Sequence, residues 1–366
     1  MRAAAFIAGF VAVIAGFCHN VQHAEARAGQ AREEEVTFTN GDVTLAGTLT
    51  VPGSGGPFPA IVLLTGSGAQ NRDEEIFGFK LFQVIADHLT QQGIAVLRYD
   101  DRGVGGSTGS LTRSTTEDFS RDARAALAFL RSRADIRGAH AGLLGHSEGG
   151  AVAALAAVEP AGGPAFVVML AGPGVSGAHV TRQQVTDGAR LVGATAGQVE
   201  RIVAAHRNAT ALAIEGAPRE QLTGAVRELM RAQLDGRPAA QVAAIGDLDA
   251  FIDARIEAQV ANVMTPWWRF FLSFDPATAL SKVICPTLAI FGGKDTQIPS
   301  ALHRAPVEAA LKGNPRVRIV EYPSANHLFQ EAITGQVAEY QVLEKAFVPG
   351  LLDEVASWIR EVTAGR

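Results

Sequence analysis

The sequence predicts an α/β protein: a mostly parallel sheet wrapped by helices, with an inserted helical segment. Three observations lead there. Two alternating apolar–polar segments come first. From residue 60 onward, apolar runs of strand length alternate with helical periods. A stretch of about 100 residues with helical composition then interrupts the alternation, far longer than a strand-to-strand connection needs.

Residues 36–39 and 44–51 alternate in polarity around Asn40-Gly41 and read as a hairpin. Residues 52–59 form a Pro/Gly loop, and Ala60-Ile61-Val62-Leu63-Leu64 is the continuous apolar run of a strand buried on both faces. Residues 77–91 have a helical period, stopped by Gly93. A strand is expected at 94–99, and an amphipathic helix at 117–133 with Phe119, Ala123, Ala126, Leu127 and Leu130 on one face. A strand at 141–144, an Ala-rich helix at 150–158 and a strand at 166–170 follow. Beyond the interruption come strands at 287–291 and 317–321 and a last helix at 351–362. The interruption, residues 173–275, is rich in Ala, Gln, Arg and Glu. It reads as an inserted helical cap, the alternative being helices packed on the sheet without covering a site. The core accordingly divides into residues 29–172 and 276–366.

The chain has 366 residues, 47% hydrophobic and 19% charged, enough for one large core with an insertion. A formal net charge of -5 suggests neither nucleic-acid binding nor a polybasic membrane patch. Residues 1–28 read as a secretory signal peptide: Arg2, an apolar run from Ala3 to Phe17, then small-residue cleavage patterns at Ala24-Glu25-Ala26 and Ala26-Arg27-Ala28. The run is short for a retained membrane anchor, the competing reading. Phe17 before Cys18 argues against a lipoprotein. A periplasmic or secreted protein, not integrated in a membrane, is therefore expected. Cys18 would leave with the signal and Cys285 would remain as a core thiol, so no internal disulfide is expected.

The pattern Gly-x-Ser-x-Gly occurs at residues 145–149 and again at 105–109. A nucleophile elbow needs a strand directly before the serine and a helix directly after it. Ser147 in Gly145-His146-Ser147-Glu148-Gly149 has both. Ser107 sits well past its strand in a Gly-rich loop and reads as a loop serine. Serine needs a base. His327, just past the strand at 317–321, lies at the strand end from which an imidazole can reach the elbow. His303 falls within a helix and reads as a surface residue, and the side chain of His146 is expected to point away from Ser147. The acid that orients the base is expected from Asp295, just after the strand at 287–291. Asp275 is the runner-up, entering from the wrong end of that strand. Two backbone N–H groups are expected to hold a developing oxyanion: that of Glu148, and that of Ser67 or else Gly68 in the loop Thr65-Gly66-Ser67-Gly68. No metal or cofactor is needed by such a set.

The chain resembles the bacterial α/β-hydrolases described as serine aminopeptidase-like or carboxylesterase proteins. The matching stretches are Leu63 to Gly68 with Asn71-Arg72-Asp73-Glu74, Arg98 to Gly105, Gly145 to Gly149, Pro266 to Phe271, Cys285-Pro286-Thr287, Gly293-Lys294-Asp295 and Asn326-His327-Leu328-Phe329. The resemblance implies an eight-stranded core with a helical cap, and Ser147, Asp295 and His327 as the triad. It implies hydrolysis of small-molecule carboxylic esters with short acyl chains. The same triad would also serve an aminopeptidase, and a binding protein that kept the fold is the non-enzymatic alternative. Arg72, Asp73, Glu74 and Arg102 read as a loop-fixing ion network. Trp267, Trp268 and Phe271, with Phe270, either line an acyl pocket or pack the cap onto the core.

Overall fold

The computed structural model describes residues 30–159 and 161–364. The signal-peptide expectation falls on residues outside that range. The first two strands, β1 (Arg32–Asn40) and β2 (Val43–Val51), pair antiparallel around Gly41, whose φ of +61° suits glycine in the tight turn. β3 (Phe58–Leu64) follows the Pro/Gly loop.

Between β3 and the first helix the structure departs from the sequence reading. The helix expected from residue 77 starts later, as α1 (Leu81–Gln91). A miniature hairpin precedes it, β4 (Glu75–Ile76) against β5 (Phe79–Lys80). Its two turn residues, Phe77 and Gly78, both have positive φ (+49° and +78°), the backbone a two-residue hairpin turn requires. Phenylalanine rarely adopts it, so the turn carried no sequence signal.

The repeating units then run as expected. They comprise β6 (Ala95–Tyr99), α2 (Thr116–Arg131), β7 (Ile136–His146), α3 (Glu148–Ala157) and β8 (Val167–Leu170). A capping box starts α2: the Thr115 hydroxyl accepts from Asp118 N–H while the Asp118 carboxylate accepts from Thr115 N–H. Six helices fill the interruption: α4 (Gly177–Leu191), α5 (Ala196–Glu215), α6 (Arg219–Asp235), α7 (Ala239–Ile245), α8 (Leu248–Val263) and α9 (Pro266–Ser273). The chain returns through α10 (Ala277–Leu280), β9 (Thr287–Gly292), α11 (Ser300–Ala310) and β10 (Val317–Tyr322), and ends in α12 (Leu351–Thr363).

The main sheet has eight strands in the order β1-β2-β6-β3-β7-β8-β9-β10, parallel from β6 to β10. Strand alternation divides the core in two. Ala60, Val62 and Leu64 face Ala123, Ala126 and Leu127 of α2 and Val152 of α3. Ile61 and Leu63 face Phe82 and Ile85 of α1 and Val355 and Trp358 of α12. The central strands thus bury both faces, and their carboxyl ends collect the loops carrying Thr65–Gln70, Ser147, Asp295 and His327. Ligands bind at this edge of open parallel sheets.

Among the described residues, no helix is long and apolar enough to cross a membrane.

Candidate active site

Ser147 sits between the end of β7 and the first residue of α3 with φ 51° and ψ −120°, a conformation that costs on the order of 1–3 kcal/mol. Close packing holds it there. A Cβ on Gly145 would overlap Gly149 O, and one on Gly149 would overlap Leu64 O, so the elbow needs glycine at both positions. The Ser147 N–H donates to Leu170 O at 2.9 Å, tying the turn to β8. Ser147 and His327 both line a cavity of about 400 Å³.

His327 and Asp295 come from the neighbouring strand-end loops after β10 and β9. His327 Nδ1 lies 2.7 Å from Asp295 Oδ2. The other carboxylate oxygen accepts the N–H groups of Gln297 and Ile298, both at 2.8 Å. Burial pushes the Asp295 carboxyl up, but the His327 charge and hydrogen bond, with those two N–H donors, outweigh it and hold the carboxyl below its ordinary range. An ionised Asp295 keeps the His327 proton on Nδ1 and leaves Nε2 as the free acceptor. The structure therefore brings Ser147, His327 and Asp295 to one end of the sheet. Ser107 lies elsewhere, its hydroxyl donating to Asp100 O and accepting from Ala46 N–H.

The loop Thr65–Gln70 runs beside the nucleophile: a Cβ on Gly66 would stand 3.2 Å from that of Ser147. Three carboxylates hold it. Asp101 accepts from the Thr65 hydroxyl (2.7 Å) and Gln70 N–H (3.0 Å). Glu74 accepts from Gly66 N–H (2.7 Å), and Glu148 from the Ser67 hydroxyl (2.7 Å). The Gly66 N–H is thus consumed, while those of Ser67 and Glu148 carry no hydrogen bond among the described residues.

Glu148 does more than supply a backbone group. Its buried side chain also accepts from the Thr116 hydroxyl (2.7 Å) and from Trp267 Nε1 (2.9 and 3.1 Å to its two oxygens). It joins the Ser67 loop, α2 and α9 at one point. Burial raises its carboxyl, opposed by these three donors. Trp267 stacks on Phe271 at 5.3 Å between ring centroids and lies 5.4 Å from Trp268. All three rings line the cavity, whereas Phe270 stacks on Phe274 instead.

Three expectations need correction. His146 does not simply point away. It is buried, its ring 4.8 Å from that of His327, with Nδ1 2.9 Å from Glu74 Oε1 and Nε2 2.9 Å from His327 O. With Glu74 as a carboxylate, both ring nitrogens donate, as in the imidazolium. Burial pushes its pKa down, but the Glu74 charge and hydrogen bond and the His327 carbonyl raise it overall. His303 is not a surface residue: it is fully buried, and its Nδ1 accepts from Gly174 N–H at 2.9 Å. Burial pushes its pKa down to about 4. Lastly, the charged loop residues do not share one network. Arg72 pairs with Asp100 and Glu35, Asp73 with Arg98 and Lys80, and Arg102 with Asp122, while Glu74 serves His146 and Gly66.

The sheet order, the elbow and the strand-end side chains give the α/β-hydrolase fold, and comparisons with known proteins agree. The family described as serine aminopeptidase, S33 matches residues 79–234. Esterase EstD of Thermotoga maritima is 27% identical over 327 residues, covering 88% of this chain and 68% of that protein. Among solved structures, the α/β-hydrolase GrgF of a Penicillium species superposes with a TM-score of 0.54 at 14% identity, covering 92% of this chain and 99% of the other. An esterase of Pyrococcus furiosus gives 0.51 at 17% identity, covering 90% of each chain. Hydrolase chemistry is the class shared with these relatives.

Proposed function

We propose that the protein hydrolyses carboxylic esters through an acyl-enzyme on Ser147. The observation that carries this reading is the Asp295–His327 hydrogen bond of 2.7 Å at the cavity that the strained Ser147 also lines. In this mechanism His327 Nε2 takes the Ser147 proton as the oxygen attacks the ester carbonyl. The N–H groups of Glu148 and Ser67 receive the oxyanion. His327 then protonates the departing alcohol, and a water activated by the same nitrogen releases the acid. Trp267, Trp268 and Phe271 supply apolar wall for a short acyl group.

The matched family name favours a second reading, an aminopeptidase on the same triad. The two carboxylates lining the cavity argue against it: both Glu148 oxygens already accept protein donors, and Glu74 is fully buried, so neither offers an exposed oxygen to a substrate ammonium.

The test is turnover of p-nitrophenyl acetate and butyrate against aminoacyl p-nitroanilides, with Ser147→Ala as control. Ester turnover that disappears in the folded Ser147→Ala protein is expected. A preference for the anilides, or a wild-type protein that a fluorophosphonate does not label, would overturn the reading. Export through cleavage of residues 1–28 belongs to the same proposal. It is checked by sequencing the amino terminus of protein recovered from the periplasm or medium.

A further inference from the structure

A second cavity, of about 340 Å³, lies inside the α4–α9 insertion between α4, α5, α6, α8 and α9. Thr181, Gln184 and Trp268 line both this cavity and the one at Ser147, so the two adjoin there. Its inner wall is apolar, with Ala209, Val226, Leu229 and Met230. Its outer part carries the side-chain amides of Gln233, Gln259 and Asn262, the last two exposed. No Asp, Glu, Lys or Arg lines it. Its histidine, His206, is held below its ordinary pKa by burial and the Arg182 charge, and so adds none.

An apolar wall ending in neutral amides suits a flexible hydrocarbon chain whose far end reaches water. It suits an ionised end poorly, because no charged side chain lines it among the described residues. The first cavity alone lies at the low end of the volumes that hold small ligands, and the two together extend well into that range.

We infer that the cavity inside the helical insertion is a distal substrate subsite, holding an uncharged hydrocarbon chain of a medium-length ester that enters past Trp268. This rests on the ester-hydrolase reading of Ser147. It extends that reading from short esters to substrates whose acyl or alcohol arm has roughly eight to twelve carbons, since each methylene removed from water is worth about fourfold in affinity.

The experiment uses the full chain and two ester series. p-Nitrophenyl acetate against decanoate varies the acyl arm, and ethyl acetate against decyl acetate varies the alcohol arm. Two substitutions fill the cavity from different helices: Thr210→Trp on α5 and Leu229→Trp on α6. The expected result is a fall of roughly sixty-fold or more in the long-to-short ratio of kcat/KM in one series, carried by KM, as three or four methylenes lose their site. The series that responds identifies the arm. Ratios unchanged in both series, in variants that a fluorophosphonate labels like wild type, would overturn the subsite alone. A wild-type protein that neither labels nor turns over acetate would overturn the underlying reading, and the subsite with it.

Discussion

Replacing Asp101 by asparagine should make the protein's stability less dependent on pH. Burial, joined by the nearby Glu74 and Glu148 charges, pushes the Asp101 carboxyl up from 3.8 to about 8, against the Thr65 hydroxyl and Gln70 N–H that favour its anion. Between those two values the folded protein holds a proton that the unfolded chain has lost. Stability is therefore greatest below the unfolded pKa and falls as pH rises, by about 1.4 kcal/mol per unit, until the folded pKa is passed. From pH 5 to 8 that amounts to roughly 4 kcal/mol. Asparagine reproduces the neutral acid: its carbonyl can accept from Gln70 N–H while its NH₂ donates to Thr65 Oγ1. Urea unfolding of wild type and Asp101→Asn at pH 5, 6.5 and 8 measures the effect. The variant should exceed wild type by about 2 kcal/mol at pH 5 and progressively more above, by roughly 5 kcal/mol at pH 8. Parallel pH profiles for the two proteins would refute the buried neutral acid.

Asp295→Asn should keep the fold but lower ester kcat by three to four orders of magnitude, roughly the loss when an orienting carboxylate no longer fixes the base's tautomer. Steady-state rates with a circular-dichroism control check it. Glu148→Leu should destabilise by about 2–4 kcal/mol, because the donors of Ser67, Thr116 and Trp267 lose a shared buried acceptor. Glu148→Gln should lose about half as much or less, since the two hydroxyls can reorient while Trp267 Nε1 keeps an oxygen; denaturant midpoints separate the two. Gly149→Ala should abolish fluorophosphonate labelling, because its Cβ would overlap Leu64 O and force the elbow open.

Much of this architecture is local and could be read from the chain. Strand runs such as Ala60–Leu64 and the amphipathic face of α2 carry their own periodicity. Ser147, Asp295 and His327 stand at strand ends, where position alone narrows the choice. What escaped reading depends on contacts between distant segments. Glu74, His146 and the His327 carbonyl meet across 72 and 181 residues, and Trp267 reaches Glu148 across 119. No spacing rule encodes such meetings. His303 has the setting of an exposed helical residue, and only the docking of α11 against Gly174 buries it. The late start of the helix at residue 81 turned on a positive φ at Phe77, which its residue type does not announce.

The carboxylates under the Thr65–Gln70 loop raise an electrostatic question, because an oxyanion site should not be ringed by negative charge. A full charge ~6 Å from a developing oxyanion would oppose it by about 3 kcal/mol at an effective dielectric of 20. Each of the three is offset differently. The Glu74 charge is matched by the His146 imidazolium, which needs both of its protons for Glu74 and the His327 carbonyl. Asp101 is pushed toward neutrality by burial. Glu148 is raised by burial too, and its oxygens are met by donors from Ser67, Thr116 and Trp267. The loop is thus fixed by strong acceptors while little unbalanced charge is left beside the nucleophile. The Glu74–His146 pair has a further consequence: it links the Gly66 side of that loop to the backbone of the base itself, so displacing the loop should disturb His327 as well as the oxyanion donors.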